Sequence, residues 1–582
     1  MKYKLIAEPN EGITSPVAQV LLNRGISQAE IPQFLYPSDE CIISAYKLDN
    51  IELAAKTILA ALILQQDIYI QVDSDCDGYT SAAILINYLY QIAPSTVENH
   101  IIYNLHDSKH HGLNFDNIPA GVGLVIAPDS SSNEPAIHKR IAEEIGAKVV
   151  VIDHHDVDTI DPDDPAILVN NQTCRYPNKS LSGAGVVYKV CKVLDQLVKC
   201  NYADNYLDLA SLGMIADMMD IRSMETHRLI LQGCQHINNI FYKELIARQE
   251  FSMKGEVNSF TVGWYIAPYI NAMTRSGTDA EKLCLFESML DYKAVRLVPS
   301  TKRGEKGKEE KLVTQAIRTC MNVKKHQEDN KKKALDMILP MIDPNSKEPM
   351  IIIQLENPVD TNLTGLLANQ IMGQFNKPTL VLNKITNEDG SVLWAGSCRG
   401  YATEEVEDWR LFILNSGFAE YSAGHPFAFG ACFTPANLEQ FRSYVSETFP
   451  DGIESCQPVD FIWLDTDDFD HNVLLLGQAK GIWGQDVAEP YVILKRIPIK
   501  REDIALLGKG TLRINLKNHK TSCIKFNAEK MYNELMDRFT TDDLTLNLTI
   551  LGKCDINEYL GNVTPQIKME NYDVEAVRKW YF

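Results

Sequence analysis

The sequence predicts an α/β chain organised around a mostly parallel sheet with helices on both faces. Three observations lead there. Short apolar runs alternate with helical segments through the first half, the rhythm of βαβ units. Two of these runs end in dense polar clusters, Asp73-Ser74-Asp75-Cys76-Asp77-Gly78 and Asp153-His154-His155. A third run ends at Asp129. In an open α/β sheet, ligands bind just beyond the carboxyl ends of the strands.

Taken in order, residues 68–72 read as a buried strand, and residues 80–89 as an amphipathic helix with small residues at its start. Residues 123–127 form the next strand, leading to Pro128-Asp129-Ser130. A helix over 137–145 feeds the strand 149–152, and 166–169 is a further short strand before Asn170-Asn171. Gly183 and Gly185 open another helix, where backbone amides can approach an anion or simply pack tightly. Residues 207–215 read as a buried helix ending at Asp217, an acid among apolar neighbours that is costly unless paired or metal-bound.

Asp73, Asp75, Asp77, Asp129, Asp217 and the Asp153-His154-His155 cluster would then share one crevice. That many carboxylates cannot coexist there unless cations neutralise them. Each element taken alone has a bland reading, an Asp-rich helix cap or a surface histidine pair. Together they point to a hydrolytic site with two divalent metals. Oxygen-rich ligands with few histidines favour Mn²⁺ or Mg²⁺ over Zn²⁺.

Composition bounds the remaining possibilities. A chain of 582 residues exceeds one core and implies several domains. No apolar run is long enough to span a bilayer, and the N-terminus lacks a signal-peptide core. The 13 cysteines are scattered without a CxxC pair, so reduced cytoplasmic thiols are expected instead of a disulfide frame or zinc ribbon. A formal charge of −21 argues against nonspecific coating of nucleic acid, though not against a local basic channel.

These motifs resemble the RecJ-type single-strand exonucleases of the DHH phosphoesterase superfamily, over nearly the whole chain. The family's Asp-x-Asp-x-Asp-Gly strand end is Asp73 to Gly78, its lone Asp is Asp129, and its Asp-His-His is Asp153 to His155. Its Gly-x-x-Ala-Asp is Gly213 to Asp217, and its Asn-Ala-x-x-Arg is Asn271 to Arg275. A Gly-Ser-x-Arg stretch and a Gly-Gly-His element appear as Gly396-Ser397-Cys398-Arg399 and Ala423-Gly424-His425.

The resemblance implies a segment at 1–50, a DHH metal-binding domain at 51–240 and a helical connector at 241–345. It then implies a smaller α/β DHHA1-type domain at 346–455 and an OB-type β-barrel at 456–582. Asp73 and Asp75 would hold one metal, Asp77, His154 and Asp217 the other, and Asp129 would bridge them. Asp153 would orient a histidine, while His155 and Arg275 would face the scissile phosphate. Ser397, Arg399, Gly424 and His425, with Gly183 and Gly185, would bind substrate.

The implied activity is metal-dependent hydrolysis of single-stranded DNA from the 5′ end, in repair or recombination. A single-strand-binding protein or a helicase is the expected protein partner, and no membrane is involved. A small-substrate phosphoesterase is the first alternative, which the extra C-terminal barrel argues against. A non-catalytic replication scaffold is the second, and it would have lost metal ligands.

The sequence departs from the family at three places. His106 stands for an Arg before the turn at residues 107–112, Thr274 for a Gly, and Ala423 for the first Gly of Gly-Gly-His. Residues 301–333 read as a long lysine-rich helix, either a solvated face or the wall of a channel. In the barrel, Trp483, Tyr491, Lys495, Arg496, Arg513 and Lys525 are candidates for stacking bases and tracking phosphates.

Overall fold

The computed structural model describes residues 1–582 except 11, 107–110, 306, 344–345, 402, 404, 451, 454–455, 509, 542–543 and 576–582. The chain divides into two compact units. One holds residues 5–323 together with 459–582, and the other holds 1–4 and 324–458.

In the larger unit, strand β1 (Ile68–Val72) leads into helix α1 (Cys76–Ile92) and then β2 (Ile101–Leu105). Strands β3 (Leu124–Pro128), β4 (Lys148–Asp153) and β5 (Ile167–Asn170) follow. The five strands are all parallel, in the spatial order β2-β1-β3-β4-β5. The chain leaves β1 toward one edge and returns to the other side of it, so β1 and β3 flank a topological switch point. Crevices for ligands open there, beyond the strand carboxyl ends.

Strand residues alternate between two cores, as a period of two requires. Ile68, Ile70, Val72, Leu124, Ile126, Val150 and Ile152 face one, and Tyr69, Val125, Ala127, Val149 and Val151 face the other. Both faces are covered, which is why these strands read as continuous apolar runs.

Helix α2 (Gly183–Val198) and helix α3 (Leu207–Ala216) pack against α1. Short helices α4 (Ser259–Tyr265) and α5 (Ala267–Ser276) follow. The expected helix over 301–333 is corrected at its start. Leu297–Pro299 and Glu309–Lys311 form a hairpin, and helix α6 spans Leu312–Ile338. Gly304 and Gly307, at φ 85° and 84°, turn the chain where a helix cannot. On α6, Lys324 and Lys331 both pair with Glu328, as a solvated helical face does.

The second unit is a mixed sheet. It comprises β6 (Ile351–Leu355), helix α7 (Thr361–Phe375), β7 (Thr379–Thr386), β8 (Val392–Arg399), β9 (Tyr421–His425) and β10 (Ala428–Phe433). The strand order is β9-β10-β8-β7-β6.

Seven later strands return to the larger unit. They are β11 (Phe461–Leu464), β12 (Tyr491–Ile499), β13 (Ile504–Leu507), β14 (Thr511–Asn515), β15 (Ser522–Lys525), β16 (Leu546–Tyr559) and β17 (Asn562–Glu575). They form a seven-stranded sheet in the order β11-β12-β16-β17-β15-β14-β13.

This sheet shares the core of the larger unit. Its Trp483, Val492, Leu494 and Leu548 belong to the same apolar core as Met214, Ile215 and Ile221. Arg24 grips Asp460 with two hydrogen bonds of 2.8 and 2.9 Å, fastening the N-terminal region to β11. Among the described residues, no helix is long and apolar enough to cross a membrane.

Candidate metal centre

The three acids after β1 are held in three different ways. Asp75 caps α1, its Oδ1 accepting from the Gly78 amide at 3.0 Å. Asp77 lies in the first turn of α1 and meets the N-terminus of α2. Its Oδ2 accepts from the Gly183 amide at 2.7 Å, and its Oδ1 accepts from Ser182 Oγ at 2.7 Å and the Ala184 amide at 3.2 Å. Asp73 Oδ2 lies 2.8 Å from His111 Nδ1.

Asp129 follows β3 in a left-handed backbone conformation, φ 68°, with its amide donating to the Ile152 carbonyl at 2.7 Å. This bend turns the carboxylate into the crevice between β1 and β4. His154 Nε2 lies 3.2 Å from Asp129 Oδ1, 3.5 Å from Asp217 Oδ2 and 3.8 Å from Asp77 Oδ2. Asp217 arrives from the C-terminal end of α3.

The ligating atoms form overlapping clusters within 4.8 Å: Asp73, Asp75 and Asp129; Asp77, His154 and Asp217; and Asp129, Asp153, His154 and His155. Buried Asp73 Oδ1 and Asp129 Oδ1 have no hydrogen-bond partner in the structure. Buried carboxylate oxygens without donors fit cation ligands, because leaving them bare costs free energy.

The electrostatics agree. Burial pushes the Asp129 carboxyl well up, and the charges of Asp77, Asp75 and Asp73 push further. Asp217 is raised to about 8 by burial and by Asp77 and Asp75. Burial also raises Asp75, with repulsion from Asp77 adding to it. Burial lowers His154, favouring the neutral imidazole that a metal ligand must be.

Asp153 serves a different purpose. Its Oδ1 accepts from the His154 amide at 2.7 Å and from His155 Nδ1 at 2.8 Å, and its Oδ2 accepts from the Ser132 amide at 3.1 Å. Burial alone would raise its pKa, but His155, His154 and the Ser132 amide together outweigh burial and hold the carboxyl far below its usual range. The same hydrogen bond lifts His155 to about 9, although burial opposes it. His155 is the half-exposed member of the cluster, at 53 %.

Several expected residues sit elsewhere or act otherwise. Gly183 and Gly185 are buried, so assigning them to substrate is corrected: the anion at the α2 N-terminus is the Asp77 carboxylate. Gly185 instead packs on Leu181 and Met214. Arg275 is exposed in the last turn of α5. His106 is turned inward, its Nε2 against the Gly112 carbonyl, so it does not replace an arginine at a phosphate. Thr274 is buried in α5, its hydroxyl donating to the Asn271 carbonyl at 3.4 Å. Residues 107–110 lie outside the described residues. His111, not singled out by sequence, is the imidazole that reaches the acids.

Ser397, Arg399, Gly424 and His425 belong to the second unit. On its sheet, Arg399 and His425 both stand opposite Ala428, while Ser397 and Ala423 both stand opposite Gly430. Arg399, His425 and Ser397 therefore share one face over small residues. Ser397 Oγ lies 2.8 Å from the Thr364 hydroxyl, and a Cβ at Gly365 would come within 2.6 Å of the Arg399 guanidinium. Thr364, a further hydroxyl here, escaped the sequence reading. Gly424, at φ 131°, lets β9 turn beside Phe429.

A groove of about 510 Å³ in the larger unit is lined by Met218, Phe260, Trp264, Gly484 and Lys553, among others. Met218 in this groove directly follows Asp217 in the chain. Trp264 is 67 % exposed in it, whereas Trp483 is 1 % exposed, which removes Trp483 as a base-stacking platform.

Residues 67–214 match the DHH family N-terminal domain, and residues 462–571 match the RecJ OB domain. The chain is 35% identical over 587 residues to a Bacillus subtilis (strain 168) protein named for the SPbeta prophage-derived single-strand DNA-specific exonuclease YorK, covering 99% of each. It is 26% identical over 589 residues to the single-stranded-DNA-specific exonuclease RecJ of the same organism, covering 98% of this chain and 69% of that one. The crystal structure of RecJ in complex with Mn²⁺ from Thermus thermophilus shares the fold, with TM-score 0.71 at 19% identity. The match covers 97% of this chain and 76% of that one.

Proposed function

The chain belongs to the RecJ family of single-strand exonucleases, and from that membership we propose a metal-dependent exonuclease that hydrolyses single-stranded DNA from its 5′ end. The observation that carries the chemistry is the convergence of Asp73, Asp75, Asp77, Asp129, His154 and Asp217 at the switch point, with two buried carboxylate oxygens lacking donors.

Asp73, Asp75 and Asp129 would hold one cation, and Asp77, His154 and Asp217 the other, with Asp129 shared between them. Mn²⁺ or Mg²⁺ suits this donor set. When bound, the pair supplies Lewis-acid charge to the phosphate and an activated water. The protein's residues do the rest. Asp153 fixes the His155 ring and keeps it cationic near neutral pH, so that His155 meets the developing charge at the phosphate. Arg275 would add a second positive donor. Ser397, Arg399 and His425, with the Thr364 hydroxyl, would hold the terminal phosphate, Arg399 by its forked guanidinium.

The groove that carries exposed Trp264 and Lys553, with the attached sheet, favours a strand over a dinucleotide as substrate, because exposed aromatic surface and a basic side chain suit stacked bases and a tracked backbone. The scaffold reading is disfavoured by the presence of every expected ligand. Repair or recombination in the cytoplasm, with a single-strand-binding protein or a helicase as partner, completes the proposal.

The test is a time course on end-labelled single strands of DNA and RNA, several lengths each, with Mn²⁺, Mg²⁺ or chelator. Mononucleotides released first from the 5′ end of DNA, only with metal, are expected. Undiminished cleavage in chelator overturns the metal reading, and release from the 3′ end overturns the polarity.

A further inference from the structure

Each of the three acids after β1 has its own donor. For Asp75 it is a backbone amide of its own helix. For Asp77 it is chiefly the N-terminus of α2. For Asp73 it is a side chain, His111, reaching in from the segment after β2 at 2.8 Å. The Asp73 side chain is only 2 % exposed, whereas His111 is 68 % exposed. His111 is therefore not core packing, and its hydrogen bond is spent on one buried carboxylate oxygen.

The two oxygens of Asp73 are thereby made unequal. Oδ2 takes the imidazole, and Oδ1 is left buried without a donor, in the cluster with Asp75 and Asp129. A carboxylate with one oxygen tethered cannot rotate to present the other pair of lone pairs. Contacts of this kind behind a ligand commonly change metal affinity ten- to a hundredfold, roughly, although the contact itself is solvent-exposed.

We propose that His111 is a positioning residue: its Nδ1–H holds Asp73 Oδ2 so that Oδ1 stays turned toward the cation shared with Asp75 and Asp129. The inference rests on the metal reading of the site given above. It assigns no chemistry to His111. It also gives this role to His111 and not to His106, whose ring is turned to the Gly112 carbonyl.

The experiment is Mn²⁺ binding to the full-length chain, read by electron paramagnetic resonance of free Mn²⁺. The wild type is compared with His111→Ala, His111→Asn, His111→Gln and Asp129→Asn, with thermal melts as a folding control. An Asn amide nitrogen stands where Nδ1 does, and a Gln amide nitrogen stands where Nε2 does. Expected are a loss of about tenfold in Mn²⁺ affinity for Ala, recovery to within about threefold for Asn, and no recovery for Gln. Wild-type affinity in His111→Ala, or equal loss in Asn and Ala, overturns the proposal while leaving the metal site intact if Asp129→Asn still loses binding. If the wild type itself binds no Mn²⁺, or Asp129→Asn binds as well, the metal reading falls and this inference with it.

Discussion

The amide of Gly183 donates a 2.7 Å hydrogen bond to Asp77 Oδ2, placing a carboxylate where a helix N-terminus would otherwise take a phosphate. The N-terminus of α2 thus fixes the orientation of a proposed metal ligand. The approach requires the missing side chain, because a Cβ at Gly183 would come within 2.3 Å of Asp129 Oδ1 and 2.5 Å of Asp129 Cβ.

Gly183→Ala is therefore expected to damage the centre more than the fold. Overpacking should cost about 1–3 kcal/mol of stability, while cleavage should fall at least tenfold as Asp129 is displaced. Gly213→Ala should behave alike, since its Cβ would meet Asp77 Oδ1 at 2.3 Å. Thermal melts and single-strand cleavage rates check both. Full activity in either variant contradicts the packing argument.

Asp129→Asn keeps the shape and tolerates the left-handed backbone, but removes the charge that two cations would share. Loss of several kcal/mol of transition-state stabilisation corresponds to roughly a thousandfold in rate. The metal-free variant should nevertheless melt no lower than the metal-free wild type, because one of several mutually repelling buried acids is gone. A large drop in its melting temperature would point to a structural role instead.

Metal uptake should release protons near neutral pH. Asp217, raised to about 8 by burial and by Asp77, keeps its proton at pH 7 until a cation displaces it. Calorimetric titration of Mn²⁺ in two buffers of unequal ionisation enthalpy should show proton release at pH 7 and less at pH 9. A raised carboxyl favours the fold at low pH and withdraws that support as pH climbs from about 4 through about 8. His155, raised to about 9, acts in the same direction: its support is complete below about 6.5 and is lost as pH rises through about 9. The metal-free chain should thus melt progressively lower from pH 5 to 9, and Mn²⁺ should flatten the trend. Equal proton counts at both pH values would refute the assignment.

Arg399→Ala should erase a preference for 5′-phosphorylated over 5′-hydroxyl strands. A charge-assisted contact is worth about 1.5–3 kcal/mol, or roughly 10- to 150-fold in binding. Rates on both substrates, in wild type and variant, decide it. An undiminished preference would remove Arg399 from the phosphate.

The parallel sheet was legible because its strands are apolar runs of strand length, each ended by charge. The positions of Asp129 and Asp217 were legible for the same reason, an acid at the end of an apolar element. What stayed hidden depended on single orientations or distant contacts. His106 and His111 are five positions apart, and nothing in their spacing says that the first turns inward and the second reaches Asp73. Gly183 and Gly185 look open to an anion in sequence, but α2 is buried against α1. Trp483 has the composition of a stacking platform and instead packs in the core shared with Ile221. The lysines near residue 302 suggested helix until Gly304 and Gly307 turned the chain back.

That shared core bears on how the protein is made. Met214, Ile215 and Ile221 are finished by residues of the last quarter of the chain, Trp483 and Val492 among them. A ribosome adding about 5–20 residues per second needs on the order of ten seconds to pass from residue 323 to residue 483. Throughout that interval the apolar wall beside Asp217 stands open on the nascent chain. The nuclease is completed last at the place where its strand would run, so a prematurely terminated product is an exposed, sticky half-fold and not a shorter enzyme.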